Sequence, residues 1–220
     1  MTLADPTDQA SALAHHDGPG REPPVPRQPI LVVPGLNGSG PTHWQSHWEL
    51  ALPGAKRVEQ TDWDRPCLGE WTANLVEAVR RRPGALLIAH SLGCALVAHM
   101  ADITNGRGVG GALLVAPADV DGDTPASQSL TGFAPMPRRR LPFPSLVVAS
   151  RNDPFVTFER ARTFARAWGS AFADVGEAGH INVCSGHGPW IEGRAYLHDL
   201  MDLARSAARG APLRDHHDGD

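Results

Sequence analysis

Cysteine is scarce and unpatterned in this chain of 220 residues. Cys67, Cys94 and Cys184 are widely spaced, odd in number and without a C-x-x-C pair, which argues against a disulfide framework and a structural zinc site. Excess positive charge is lacking too: 20 Lys and Arg against 24 Asp and Glu leave a formal charge of −4, so no basic face favours nucleic acid or an anionic membrane as partner. The basic run Arg138-Arg139-Arg140 sits among prolines and reads as a solvated loop. No apolar stretch approaches the length needed to cross a bilayer, and no charged start, apolar centre and small-residue cleavage site opens the chain. The expectation is a cytoplasmic protein with reduced thiols and no membrane partner. Aromatic side chains are missing from residues 1–28, where Pro, Asp, Gly and Ala prevail, so that segment buries too little apolar surface to offset the entropy of ordering. Residues 1–28 are therefore expected to be a disordered leader, 29–207 one folded domain and 208–220 a flexible tail. Metal capture by His216 and His217 in that tail has only composition in its favour.

With 41% hydrophobic residues, the remainder is ample for one buried core. Short apolar runs alternate with longer segments of helical period, the pattern of a mostly parallel sheet of about six strands with helices on both faces, a three-layer α/β/α architecture. The strand candidates are Ile30–Val33, roughly Lys56–Gln60, Ala85–Ala89, Ala112–Ala116, Ser145–Ala149 and Ala171–Val175. Core stripes at helical spacing include Leu68, Trp71, Leu75 and Val79, then Phe158, Ala161, Ala165 and Trp168, then Leu197, Leu200, Met201 and Ala204. Pro189 suits the first turn of the last helix, where a missing N–H costs nothing. The proline-interrupted segment Ala118–Pro144 reads as a long loop, of the kind that forms lids or pocket walls.

The chemistry centres on Ala85-Leu86-Leu87-Ile88-Ala89-His90-Ser91-Leu92-Gly93, an apolar strand that runs into a serine and then into the buried helix begun by Ala95-Leu96-Val97-Ala98. A nucleophile elbow requires a strand, a sharp turn at the serine and a helix, with small flanking residues so that strand and helix do not collide. Here the small positions are Ala89 and Gly93, an alanine standing where glycine is commoner. Asp153 follows the strand that ends at Ala149, and His180 follows the last strand, so serine, aspartate and histidine each lie just past a strand end, where loops of a parallel sheet build active sites. This chain order belongs to the elbow fold and differs from the orders of chymotrypsin and subtilisin. His180 would take the Ser91 proton as that oxygen attacks a carbonyl, and Asp153 would orient the imidazole. Asp119 and Asp121, just past the fourth strand, are the alternative acids.

A developing oxyanion needs preorganised N–H donors. The first strand ends in Pro34-Gly35-Leu36-Asn37-Gly38-Ser39-Gly40, and the predicted donors are the backbone N–H of Leu36 or Asn37 together with that of Leu92. The loop lacks the Walker lysine and the G-x-G-x-x-G spacing of a phosphate site. His43, Trp44 and Trp63 fall near the expected mouth and could contact substrate, burial in the core being the competing reading. His43 and His47 are four apart but have no evident third ligand, so no metal and no cofactor are expected. Cys94 reads as a packed small hydrophobe inside the helix.

Taken together, Val32-Val33-Pro34-Gly35 with Thr42-His43-Trp44, Asp62-Trp63-Asp64-Arg65-Pro66, Ala89-His90-Ser91-Leu92-Gly93, Ser150-Arg151-Asn152-Asp153-Pro154 and Gly179-His180-Ile181-Asn182 resemble the small serine hydrolases of the retinoblastoma-binding-protein-9-like (YdeN-type) branch of the α/β-hydrolase superfamily. The resemblance spans Pro29 to Leu203. It implies a compact α/β-hydrolase domain, a triad on Ser91, Asp153 and His180, and hydrolysis of a small-molecule ester, thioester or amide without a cofactor. No L-x-C-x-E peptide supports a retinoblastoma-protein partner. A binding module that keeps the fold, and an acyltransferase using the same nucleophile, are the two alternatives. Nothing in the sequence specifies an oligomeric state.

Overall fold

The computed structural model describes residues 28–122 and 130–210, so most of the expected leader and tail, the His216-His217 pair and Pro125 lie outside the described residues. Six strands form one sheet: β1 (Ile30–Val33), β2 (Ala55–Arg57), β3 (Ala85–His90), β4 (Val109–Val115), β5 (Ser145–Ala149) and β6 (Ala171–Asp174). They run in the order β2-β1-β3-β4-β5-β6, and every pairing is parallel. Among the described residues five α-helices accompany them: α1 (Trp44–Ala51), α2 (Leu68–Arg81), α3 (Leu92–Thr104), α4 (Phe158–Trp168) and α5 (Arg194–Ala208). Among the described residues no helix is long and apolar enough to cross a membrane.

The near-continuous apolar strands follow from burial on both faces. Leu31, Val33, Leu87 and Ala89 face a core closed by α2, α3 and α4, whereas Ile30, Leu86, Ile88 and Val115 face a second core closed by α1 and α5. In α2, Trp71, Leu75 and Val79 recur at one-turn spacing and are all buried, each such side chain contributing about 1.5–3 kcal/mol relative to exposure. Thr157 caps α4 by accepting the Arg160 N–H, and Gly169 closes it in the left-handed conformation.

The structure moves several boundaries. β2 spans Ala55–Arg57 rather than Lys56–Gln60: the Val58 N–H still donates to the Val32 carbonyl at 2.9 Å, after which the edge strand gives way to the polar Glu59 and Gln60. β4 starts at Val109, not Ala112, because Val109 and Gly111 pair with Ala85 and Leu86 of β3, with Gly110 as the extra residue at a shift in register. Pro189 is not in the last helix, which begins at Arg194; its carbonyl accepts the Trp48 indole N–H at 3.1 Å, and the Trp190 ring that follows lies 5.1 Å from Trp44 and stacks on Trp48 at 5.7 Å. The described part of Ala118–Pro144 is anchored rather than free. Phe133, Met136, Leu141 and Phe143 enter the first core, and the Trp168 indole donates to the Pro137 carbonyl at 2.8 Å. Arg138, Arg139 and Arg140 are exposed, as a solvated run should be.

Candidate active site

Ser91 sits between β3 and α3 with φ 55 and ψ −123, a conformation that costs a non-glycine residue on the order of 1–3 kcal/mol. The surroundings hold it there. The Ser91 N–H donates to the Val115 carbonyl at 3.0 Å and its carbonyl accepts the Cys94 N–H at 2.9 Å. A side chain at Gly93 would overlap the Val33 and Pro34 carbonyl oxygens, so this position of the elbow admits only glycine. Ala89 is fully buried within the first core, where its methyl group fits. Cys94 is likewise buried, its thiol donating to the Val115 carbonyl at 3.4 Å, and burial pushes that thiol's pKa well up.

The loops after β5 and β6 bring two side chains to the serine. His180 Nε2 lies 2.9 Å from Ser91 Oγ, and His180 Nδ1 lies 3.0 and 2.9 Å from the two Asp153 carboxylate oxygens. With Nδ1–H donating to the carboxylate, Nε2 is free to accept from the serine hydroxyl. The Asp153 side chain is wholly buried, and one of its oxygens also accepts the Phe155 N–H at 2.8 Å. Asn152 Oδ1 accepts the Gly179 N–H at 2.7 Å and Ser150 Oγ accepts the Ala178 N–H at 2.9 Å, so the β5 loop carries the histidine loop as well as the aspartate.

Residue type alone did not reveal three further supports. His90 Nε2–H donates to the His180 carbonyl at 2.9 Å; burial, followed by the neighbouring His180 and His43, pushes the His90 pKa well below the usual value and keeps the ring neutral. The Trp44 indole donates to the Ile181 carbonyl at 2.8 Å. Phe155 places its ring 4.5 Å from that of His180.

The substrate-contact expectation needs correction at Trp44, which has no exposed surface and acts from beneath as a brace for the histidine loop. His43 is nearly buried: its Nδ1 caps α1 by accepting the Gln45 N–H at 3.2 Å, and its ring lies 4.8 Å from that of His90. Burial first, then the charges of Arg57, His180 and His47, lower the His43 pKa from 6.5 to about 4. Trp63 is half-buried, 5.6 Å from the Trp71 ring, with its indole close against Gly38. The oxyanion expectation is corrected at Asn37, whose N–H already donates to the Trp63 carbonyl at 3.0 Å. The Leu36 and Leu92 N–H groups donate to no acceptor among the described residues, as a loop residue and the first residue of a helix allow. Gly35 lies between them and the serine: a Cβ there would stand 2.9 Å from both the Leu92 nitrogen and the His90 oxygen.

Asp119 and Asp121 are engaged elsewhere. Arg160 donates to Asp119 at 2.8 and 3.1 Å and to Asp121 at 2.7 Å, which removes both from competition with Asp153. Among the described residues no group of three His, Cys, Asp or Glu side chains could hold a metal ion. Leu36, Phe155 and Val183, all exposed by more than a third, give the loops around Ser91 and His180 an apolar rim.

A serine hydrolase family model matches residues 30–199. A protein of Pectobacterium atrosepticum described as a YdeN-like hydrolase is 35% identical, with 84% of this chain and 93% of that one covered and a TM-score of 0.67. The ydeN gene product of Bacillus subtilis is 19% identical over 80% of this chain and 99% of its own, with a TM-score of 0.66. A thermophilic esterase of Thermogutta terrifontis is 15% identical over 80% and 90%, with a TM-score of 0.59. The last two likenesses concern the fold alone. No curated protein matches the chain.

Proposed function

Because this chain belongs to the serine hydrolase family, we propose that it cleaves a small carboxylic ester, with thioester or amide as related substrates, through an acyl-enzyme on Ser91. The observation that carries this reading is the continuous hydrogen-bond path Asp153–His180–Ser91, with both links at 2.9 Å and the serine raised on an elbow. His180 Nε2 takes the hydroxyl proton as Oγ attacks the carbonyl carbon, and returns it to the leaving alcohol when the tetrahedral intermediate collapses. Asp153 holds the imidazole tautomer and stabilises the imidazolium. The intermediate's oxygen would be held by the N–H groups of Leu36 and Leu92, neither of which has an acceptor among the described residues. Water, activated by the same histidine, then releases the acid.

The apolar rim of Leu36, Phe155 and Val183 favours an uncharged acyl or alcohol group. The general hydrolase character of the relatives agrees with a cofactor-independent reaction. The test is labelling with a fluorophosphonate, which modifies a serine only when a working base activates it. Wild type should label to near stoichiometry and folded Ser91→Ala not at all. A folded wild type that stays unlabelled would favour a binding module built on the same fold.

A further inference from the structure

The loop that carries Leu36 is held by groups that do not touch the serine, and several of them converge on one side chain. Arg57, the last residue of β2, pairs through Nε with Glu49 Oε2 at 3.0 Å, while its backbone N–H donates to Glu49 Oε1 at 3.0 Å. The rest of the guanidinium points at the loop. Nη1 donates to the Gly38 and Ser39 carbonyls, the second at 3.0 Å, and Nη2 donates to Ser46 Oγ at 2.7 Å. The Ser46 hydroxyl in turn lies 2.8 Å from both the Ser39 and Gly40 carbonyls. Beneath this clamp, fully buried Gln45 accepts the Ser39 hydroxyl at 2.7 Å and donates to the Ile88 carbonyl at 2.9 Å and the Val33 carbonyl at 3.3 Å, tying the loop to the ends of β1 and β3. From the far side the Trp63 carbonyl takes the Asn37 N–H. The carbonyls of Gly38, Ser39 and Gly40 are thus engaged by Arg57 and Ser46 and the Asn37 N–H by Trp63, while the Leu36 N–H has no acceptor among the described residues.

We infer that Arg57 is a positioning residue of the oxyanion hole: its guanidinium fixes the loop so that the Leu36 N–H stays aimed at the oxygen bound beside Ser91. This rests on the proposed oxyanion role of Leu36 and Leu92. The side chain acts through the loop, and geometry explains why arginine stands there. One planar fork serves a carboxylate, two carbonyls and a hydroxyl in three directions, which the compact ammonium of lysine cannot do.

Wild type, Arg57→Lys and Arg57→Ala are compared by fluorophosphonate active-site titration, by kcat and KM on p-nitrophenyl acetate, and by the Ki of a trifluoromethyl ketone, whose adduct carries the oxyanion. The lysine variant keeps the charge and should still label. Its kcat per titrated site should fall about 10- to 100-fold with KM nearly unchanged, and Ki should rise in proportion, because only a transition-state interaction is lost. Arg57→Ala should lose at least as much and regain activity when methylguanidinium is added, since the Arg57 side chain is partly exposed. Undiminished kcat per site in Arg57→Lys, or a loss of activity with Ki unchanged, overturns the assignment. A folded wild type that does not label overturns the mechanism and this assignment together; a labelled wild type with a fully active lysine variant overturns this assignment alone.

Discussion

The two flanks of Ser91 are built on opposite plans. On one flank, Asp153 and His180 reach the serine with side chains, and each link is a direct side-chain hydrogen bond. On the other, the proposed donors are backbone amides: that of Leu92 belongs to the start of α3, and that of Leu36 lies in a loop held by Gln45 and Ser46 of α1, Arg57 of β2 and Trp63. Chemistry done by a side chain is written in the residue itself, whereas chemistry done by an amide is written in its neighbours. Substituting the functional residue should therefore silence the first flank and leave the second nearly untouched, while substituting a neighbour should do the reverse.

The largest effect belongs to the first flank. Asp153→Asn removes the acceptor that sets the His180 tautomer, and turnover should fall by roughly 10⁴-fold with the fold intact. The matched control is Asp119→Asn, which loosens the Arg160 pair and should leave turnover within about threefold, since Arg160 keeps Asp121 as a partner and neither carboxylate bonds His180. A stopped assay with both variants checks this, and a collapse in Asp119→Asn with Asp153→Asn active would reverse the assignment of the acid.

On the second flank, Gly35→Ala should reduce kcat by roughly 10²-fold, comparable to losing one oxyanion donor, because its methyl group would press on the Leu92 nitrogen and the His90 carbonyl. Leu36→Ala keeps the amide and removes only an exposed side chain. It should change kcat by no more than about threefold and show itself, if at all, in KM for apolar acyl groups. Steady-state kinetics on a series of acyl chain lengths separates the two. Equal losses in both variants would erase the distinction between flanks.

The same distinction governs what the sequence disclosed. The four inner strands were legible because burial on both faces demands unbroken apolar runs, and the serine, aspartate and histidine because each follows a strand in a fixed order. Asn37 was indistinguishable from Leu36 as a donor, since the Trp63 carbonyl that engages its N–H arrives from a distant loop. Trp44 was placed near the mouth by proximity in sequence, but α1 turns it inward against Trp48 and Trp190. His90 showed no sign of its part, because what matters is that a neutral buried ring next to the nucleophile meets the His180 carbonyl. Pro189 fitted a helix start by local rules and was overruled by the Trp190 indole packed among the α1 tryptophans.

His43 joins the two flanks, and its effect is the smallest. Its Nδ1 caps the helix that carries Gln45 and Ser46, while its ring packs on His90 beside His180. In the folded chain it ionises only near pH 4, against 6.5 for the unperturbed group, with the charges of Arg57, His180 and His47 around it. Between those values the unfolded chain binds the additional proton, so stability is greatest above pH 6.5 and declines as pH falls towards 4. His90 is depressed in the same direction and adds to the decline. His43→Asn retains a good capping acceptor and removes the titration. Its melting temperature should match that of wild type near pH 5, where wild type is weakened, or exceed it, and its stability should fall less between pH 7 and 4, by on the order of 1–3 kcal/mol. Thermal melts of the two proteins across that range decide it: parallel profiles would mean that the histidine protonates without strain, and that the neutral ring is no part of what holds the two flanks together.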